Sequence, residues 1–205
     1  MTKHIKKVSG LSRREVLVGS AAGAGLVIGY SVLPNAVDSA SKAIAAGNWD
    51  HQQFLTMDAD GKATVHITKC EIGQHVGTAL AQAVAEELEI NWDDVSVDYP
   101  ESHAKWGLHI TGGSWSVNWT FDRNSRIGAS ARIALIEAGS KMMKAMPANC
   151  YAKNSRVYTA DGSKSVSYKE ILSANSIDRT FSEEEMKSIN CLLYTSDAAD
   201  EGLGV

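Results

Sequence analysis

The apolar positions of the chain repeat with two different periods, and the change of period marks the elements. Phe54-Leu55-Thr56-Met57 and Ala63-Thr64-Val65-His66-Ile67-Thr68 read as strands around Asp58-Ala59-Asp60-Gly61-Lys62, whose Asp-Gly is a hairpin turn signal. Alternation places Ala63, Val65 and Ile67 on one face and Thr64, His66 and Thr68 on the other. Over residues 78–88 the period lengthens to that of a helix: Leu80, Val84 and Leu88 form a stripe, Ala81 and Ala85 widen it, and Thr78 stands where a cap is needed. Val95-Ser96-Val97-Asp98-Tyr99 then alternates as a strand until Pro100 stops it.

A second, longer helix is predicted over residues 123–146, with Asp122 as N-cap and Pro147 as the stop. Its expected buried face is Ile127, Ala131, Leu135, Ala138 and Met142, and Glu137 with Lys141 has the spacing of a favourable ion pair. Met142, Met143 and Met146 read as core filler rather than metal ligands. Arg156-Val157-Tyr158-Thr159 and Ser165-Val166-Ser167-Tyr168 flank Asp161-Gly162 as a second hairpin, and residues 169–173 begin a further helix. The sum is an α+β fold in which β-hairpins pack with two amphipathic helices.

Ahead of these elements, Ser12-Arg13-Arg14-Glu15-Val16-Leu17 follows Lys3, Lys6 and Lys7 and precedes a Gly/Ala-rich run over residues 18–33. A twin arginine before a weakly apolar core is the address of the bacterial pathway that exports folded proteins, usually with a cofactor already inserted. Gly19, Ser20, Gly23, Gly25, Gly29 and Ser31 make the run too polar for a spanning helix, which needs about 20 strongly apolar residues. Residues 1–45 are therefore expected to be a signal read by the twin-arginine translocase, with a periplasmic destination and a cut near Ala43-Ile44-Ala45 or at 39–41. Residues 46–181 would then form the domain and 182–205 a tail. Within it, Cys191-Leu192-Leu193-Tyr194-Thr195-Ser196-Asp197-Ala198-Ala199-Asp200-Glu201 resembles read-through of a sequencing adapter, so residues 191–205 are expected to be non-native.

Charge narrows the partners. Of 20 basic and 24 acidic residues, six and two fall in the first 45, which leaves 14 and 22 and a formal charge of −8. Such a surface argues against nucleic acid. Cys70, Cys150 and Cys191 cannot all pair, and no C-x-x-C occurs, so iron–sulfur, c-type haem and structural zinc sites are poorly supported. Electrons leaving this protein would be carried by another subunit.

Two glycine loops, each ahead of a helix, are the segments able to carry chemistry. Lys69-Cys70-Glu71-Ile72-Gly73-Gln74-His75-Val76-Gly77 leads into the first helix, where unpaired N–H groups suit a phosphate or pterin oxygen and Gln74 can both donate and accept. Thr111-Gly112-Gly113-Ser114-Trp115-Ser116 precedes the second helix and has the makings of an anion-binding nest edged with hydroxyls. On physics alone each reads first as a plain turn, and only the pair together suggests a site.

Taken as a set, these loops resemble a known family. Lys69-Cys70-Glu71-Ile72-Gly73-Gln74, Thr78-Ala79-Leu80-Ala81-Gln82, Ala85-Glu86-Glu87-Leu88, Thr111-Gly112-Gly113-Ser114 and Gly128-Ala129-Ser130-Ala131-Arg132 follow one another as in the opening of the molybdenum-binding subunit of the xanthine dehydrogenase/aldehyde oxidase family. The nearest branch is that of isoquinoline 1-oxidoreductase β subunits, and the likeness covers roughly residues 49–168. The resemblance implies part of a molybdopterin-binding domain from the N-terminal piece of a molybdenum hydroxylase, which puts a water-derived oxygen on an N-heterocycle or an aldehyde. It implies molybdopterin cytosine dinucleotide with molybdenum, and a separate small subunit holding two [2Fe–2S] clusters. It carries over Gly73 and Gln74 as cofactor contacts, and Gly112, Gly113 and Ser114 as contacts to the dinucleotide end. His75 departs from the pattern, which has glycine there, and a side chain at that point can crowd the cofactor unless φ is negative. The family's catalytic glutamate lies beyond residue 205, so this length of chain is expected to be inactive. The rival reading is an exported, non-catalytic binding module in which both loops are turns.

The remaining polar groups have plainer readings. His66 falls on the hairpin's polar face, and a metal site from Cys70, His75, His103 and His109 lacks any pattern. Trp92, Trp106, Trp115 and Trp119 suit a core or a subunit interface. Glu86 and Glu87 are expected on a solvated helix face and not as a paired acid/base site, since adjacent carboxylates on a helix point about 100° apart.

Overall fold

The computed structural model describes residues 25–29, 53–103, 106–107, 109–174, 177 and 179–195. Most of the expected leader, including the twin arginine, and residues 196–205 of the tail lie outside the described residues. Within the leader, Gly25–Gly29 is strand β1, hydrogen-bonded antiparallel along β2 (Gln53–Asp58).

The first predicted hairpin is present as β2 and β3 (Ala63–His66), closed by Asp58 at both ends of the turn: its Oδ1 accepts from the N–H of Asp60 (2.9 Å) and of Lys62 (3.0 Å). Ala63, Val65 and Ile67 are buried as the alternation requires, while Thr68, expected on the polar face, is buried as well once the strand has ended. Helix α1 (Val76–Leu88) then crosses over to β4 (Val95–Asp98), which pairs parallel to β3 and completes the four-stranded order β1-β2-β3-β4. A parallel neighbour needs such a crossover, and α1 provides it while its Leu80, Val84 and Leu88 stripe seals the sheet.

Helix α2 (Ser116–Met143) is the spine of the molecule and starts two turns earlier than the sequence suggested. Asp122 is therefore interior rather than a cap, held by bidentate contact to Arg126 Nε at 2.9 Å. Its buried row advances by four residues each time, Ile127, Ala131, Leu135, Gly139 and Met143, so Met143 takes the core position expected of Met142, which is exposed along with Met146. Glu137 meets Arg179 (3.6 Å) instead of Lys141, since a tertiary cation arrived at the same carboxylate. At Gly128 the two helices nearly touch: an added Cβ would lie 2.5 Å from the Val84 carbonyl oxygen and 2.8 Å from Glu87 Cβ.

The second hairpin gains a strand that the sequence reading missed. β5 (Cys150–Lys153), β6 (Arg156–Thr159) and β7 (Ser165–Ser167) form an antiparallel sheet, followed by α3 (Tyr168–Ala174). The buried Tyr168 hydroxyl donates to the Leu88 carbonyl (2.6 Å), tying this sheet to the end of α1. Helix α4 (Glu183–Ser188) begins with a reciprocal cap between Ser182 and Glu185, and the chain then makes α5 (Leu192–Thr195).

Glu87 overturns the expectation of a solvated face: it is fully buried. Its carboxylate accepts from the N–H of Leu192 (2.8 Å) and Leu193 (2.9 Å) and pairs with Arg132 (3.3 Å), whose guanidinium also donates to the carbonyls of Glu87 (2.6 Å) and Asn190 (3.1 Å). Glu86, one position round the helix, is exposed. The first residues of the predicted foreign tail are thus docked on α1.

Candidate functional site

Strand β3 runs on into Ile67, Thr68 and Lys69, all buried, and the chain then leaves the core as the exposed loop 70–75. The loop is organised by its own carboxylate. Glu71 Oε1 accepts from the N–H of Gly73 and of His75, each at 2.9 Å, and Oε2 faces the Gly77 N–H (3.5 Å) and the Tyr99 hydroxyl (3.3 Å). A negative group at this spot faces the positive end of α1. Desolvation pushes Glu71 upward, but the N–H donors of His75, Gly73 and Gly77 with the Tyr99 hydroxyl outweigh it and hold the carboxyl below the ordinary glutamate range. Glu71 thus takes the amides of Gly73 and His75 in the loop, and of those at the start of α1 it faces only that of Gly77. Thr78 makes no cap, since the N-cap position falls at His75.

Gln74 also turns inward: its Oε1 accepts from the Ile72 N–H (2.7 Å) and its Nε2 donates to the Cys70 carbonyl (3.0 Å). Gly73 has φ +95° with nothing within 4 Å of where a Cβ would stand, so open space lies over the loop. His75 adopts φ +57°, the left-handed region, which accounts for glycine as the expected residue there; the negative φ that would turn its side chain away from a cofactor is not met, and the imidazole is exposed on the loop. Gly77 is required for a different reason: a Cβ would run into the Tyr99 hydroxyl and come within 2.7 Å of its ring.

The second glycine loop sits beside the first. The Cys70 N–H donates to Thr111 Oγ1 (2.7 Å), and the Lys69 ammonium donates to the Ile110 carbonyl (3.0 Å). Gly113 (φ +63°) and Ser114 (φ +59°) are both left-handed, and the Trp115 N–H closes the turn on the Gly112 carbonyl (3.3 Å) before α2 begins. Among the described residues no acceptor takes the N–H of Gly112, Gly113 or Ser114, and Gly112 also faces open space. So the bonds of Cys70 with Thr111 and of Lys69 with Ile110 hold side by side the two loops that carry the expected site residues Gly73, Gln74, Gly112, Gly113 and Ser114, and the second loop presents three amides without an acceptor among the described residues.

An apolar rim surrounds this surface. Ile72 is 78% exposed, Trp115 and Trp119 are about half exposed and meet edge to face at 4.7 Å, and Ile110 is also exposed. Trp106, by contrast, is buried against Phe54 and His66. His66 is bound to Asp98 (2.8 Å) and Thr56 (3.2 Å), joining three strands rather than serving a ligand. No group of three or more metal-ligating side chains assembles among the described residues, so Cys70, His75, His103 and His109 do not form a metal site there. Sequence reasoning passed over Glu71 and Tyr99 as parts of the site; the available signal was an acidic residue one turn ahead of a helix that lacks a capping side chain.

Comparison with known proteins adds an independent finding. The family model described as "Molybdopterin cofactor-binding domain" matches residues 4–199. The membrane-bound aldehyde dehydrogenase [pyrroloquinoline-quinone] of Gluconacetobacter polyoxogenes is 34% identical over 187 residues, 90% of this chain and 24% of that protein. Isoquinoline 1-oxidoreductase subunit beta of Brevundimonas diminuta is 26% identical over 178 residues, 83% of this chain and 23% of that protein. The chain thus spans about a quarter of the length of these curated relatives. Among solved structures, quinoline 2-oxidoreductase from Pseudomonas putida 86 (21% identity, TM-score 0.38) and CO dehydrogenase from Oligotropha carboxidovorans (20%, TM-score 0.45) each align with 58% of this chain and 15% of their own.

Proposed function

The chain belongs to the molybdopterin cofactor-binding domain family, and from that premise we propose that it supplies one wall of the cofactor site in a molybdenum hydroxylase large subunit acting on an N-heterocycle or an aldehyde. The observation that carries the reading is the junction of the two glycine loops through Cys70 with Thr111 and Lys69 with Ile110, which makes one open surface of two segments 41 residues apart. The residues fit a large anionic cofactor. Gly73 and Gly112 leave room for close approach, the amides of Gly112, Gly113 and Ser114 have no acceptor among the described residues, and the carboxylate of the first loop, Glu71, is engaged by its own loop.

When bound, the group would supply oxygen transfer from water and accept the substrate's electrons. This chain's residues do the holding. Gly112, Gly113 and Ser114 would present N–H groups to the phosphates at the dinucleotide end, with cytosine as the base. Gln74 keeps loop 70–75 in shape through its two backbone bonds and leaves one amide hydrogen to offer a polar edge. The apolar rim of Ile72, Trp115 and Trp119 would be covered by the rest of the large subunit. Electrons would leave through a small subunit carrying [2Fe–2S] clusters, and the twin-arginine leader would send the loaded enzyme to the periplasm. No helix among the described residues is long and apolar enough to cross a membrane.

The test is to read the gene past codon 205, purify the complete protein from its source and assay it for molybdenum, for the fluorescent oxidation product of the pterin and for released cytidine nucleotide. Stoichiometric molybdenum with cytidine nucleotide supports the proposal. A protein free of metal and pterin, or one holding pyrroloquinoline quinone instead, refutes it and favours the binding-module reading or a different cofactor.

A further inference from the structure

Strand β1 falls inside the stretch that the sequence assigns to an export leader, yet it is part of the folded sheet. Gly25–Gly29 pairs antiparallel with β2 in the register Gly25 with Asp58, Leu26 with Met57, Val27 with Thr56, Ile28 with Leu55 and, past an irregularity, Gly29 with Gln53. The strand takes the outer edge of the order β1-β2-β3-β4 and also lies against α2 and α3. Its sequence suits the place: Val27 and Ile28 are β-branched, Leu26 is apolar, and a glycine stands at either end. The glycines that make the run too polar for a spanning helix thus also punctuate a short strand. β2 in turn needs a neighbour. Phe54, Leu55 and Met57 are buried, and without β1 their strand would present a row of unpaired N–H and C=O groups at the sheet edge.

One segment cannot be held by two receptors at once. A translocase engages the apolar run of a leader, and the middle of this run is paired along β2. We propose that the apolar core of the leader is a detachable edge strand, docked on β2 in the folded chain, which withholds the leader from the translocase until β1 peels away. Two features let it peel without unfolding the rest. It is the outermost strand, and residues 30–52 join it to β2 through a connection far longer than a hairpin turn, so its release does not pull on β2. Docking sets the degree of masking: a strand docked about nine times in ten lowers the leader's apparent affinity for its receptor about tenfold. Cleavage at either expected cut would carry β1 away, since both lie beyond Gly29. The masking rests on the assignment of residues 1–45 to an export leader and is independent of which cofactor the domain holds.

The test uses the full chain with Cys70, Cys150 and Cys191 changed to serine, carrying Val27→Cys with Thr56→Cys, and membrane vesicles that hold a twin-arginine translocase. Mild oxidation should join positions 27 and 56 within one chain. On the unaltered chain, where no substitution can disturb folding, the amides of residues 26–28 should exchange at least about tenfold more slowly than in a free peptide of the same sequence. The oxidised chain should bind the vesicles about tenfold more weakly than its reduced form, with binding restored by dithiothreitol. Leu26→Pro with Val27→Pro, one of which must remove an N–H that faces β2, should bind them more tightly than the parent. Arg13→Lys with Arg14→Lys should abolish vesicle binding in every form, which checks the leader assignment separately. Fast exchange without a disulfide, or disulfides only between chains, overturns docking of β1 on its own β2. A disulfide within the chain that leaves vesicle binding unchanged overturns the masking. Vesicle binding that is absent throughout, or indifferent to the two arginines, overturns the leader assignment and the masking with it, while the disulfide would still mark β1 as a permanent strand of the domain.

Discussion

Replacing Glu87 by glutamine tests the buried pair at the centre of the molecule. The carboxylate is fully buried and holds three donors, the N–H groups of Leu192 and Leu193 and the Arg132 guanidinium. An amide keeps one acceptor oxygen but turns an NH2 toward groups that themselves donate, and it leaves Arg132 charged without its partner. Breaking one side of a buried pair costs about 3–5 kcal/mol. A domain of this size has a stability of roughly 5–15 kcal/mol, so the change removes from about a fifth to all of it. With a urea m value of about 2 kcal/mol/M the unfolding midpoint should fall by roughly 2 M. The assay is equilibrium urea unfolding followed by tryptophan fluorescence, with Arg132→Met and the double variant Glu87→Leu/Arg132→Met beside it. The double variant should lose clearly less than the sum of the single losses, because neither charge is then stranded. A midpoint shift below about 0.5 M for Glu87→Gln, or additivity in the double variant, would refute the account of Glu87 and Arg132 as a coupled pair.

Three further outcomes follow from the geometry. Gly128→Ala places a Cβ 2.5 Å from a backbone oxygen of α1, so the helices must separate at a cost of about 1–3 kcal/mol, read as a lower urea midpoint. His75→Gly relieves a left-handed L-residue and should stabilise the chain by about 0.5–1 kcal/mol after the added chain entropy of glycine; a lower Tm would show that the imidazole makes a contact of its own. Glu71 has a folded pKa below its unfolded value, so its contribution is present above the ordinary glutamate pKa of about 4.3 and is lost as pH falls through the lower folded value. Amide exchange at Gly73 and His75, referenced to amides in the middle of α2, should accelerate below that point, and Glu71→Gln should abolish the pH dependence.

Much of this protein was legible in local pattern, because strand alternation, helical spacing and turn chemistry act between near neighbours. The β2–β3 hairpin around Asp58, the stripe of α1, strand β4 and the Asp161-Gly162 turn are all of that kind. The residues of the candidate site were likewise named from sequence, yet by resemblance more than by physics, since a glycine loop ahead of a helix is by itself also a turn. What the chain could not disclose locally was who meets whom across distance. Glu87 reads as a solvated neighbour of Glu86 until Arg132 and the amides of Leu192 and Leu193 arrive from 45 and 105 or more residues away. Glu71 reads as an ordinary loop acid until the backbone turns at Gly73 and His75 so that their N–H groups point at it. The start of α2 was hidden because Asp122 is a good cap in isolation and becomes a helix interior residue once Arg126 binds it. Periodicity fixes which face of an element is apolar; only the packed structure fixes which charges share a cavity, because the energy of a buried charge depends on partners that sequence spacing does not encode.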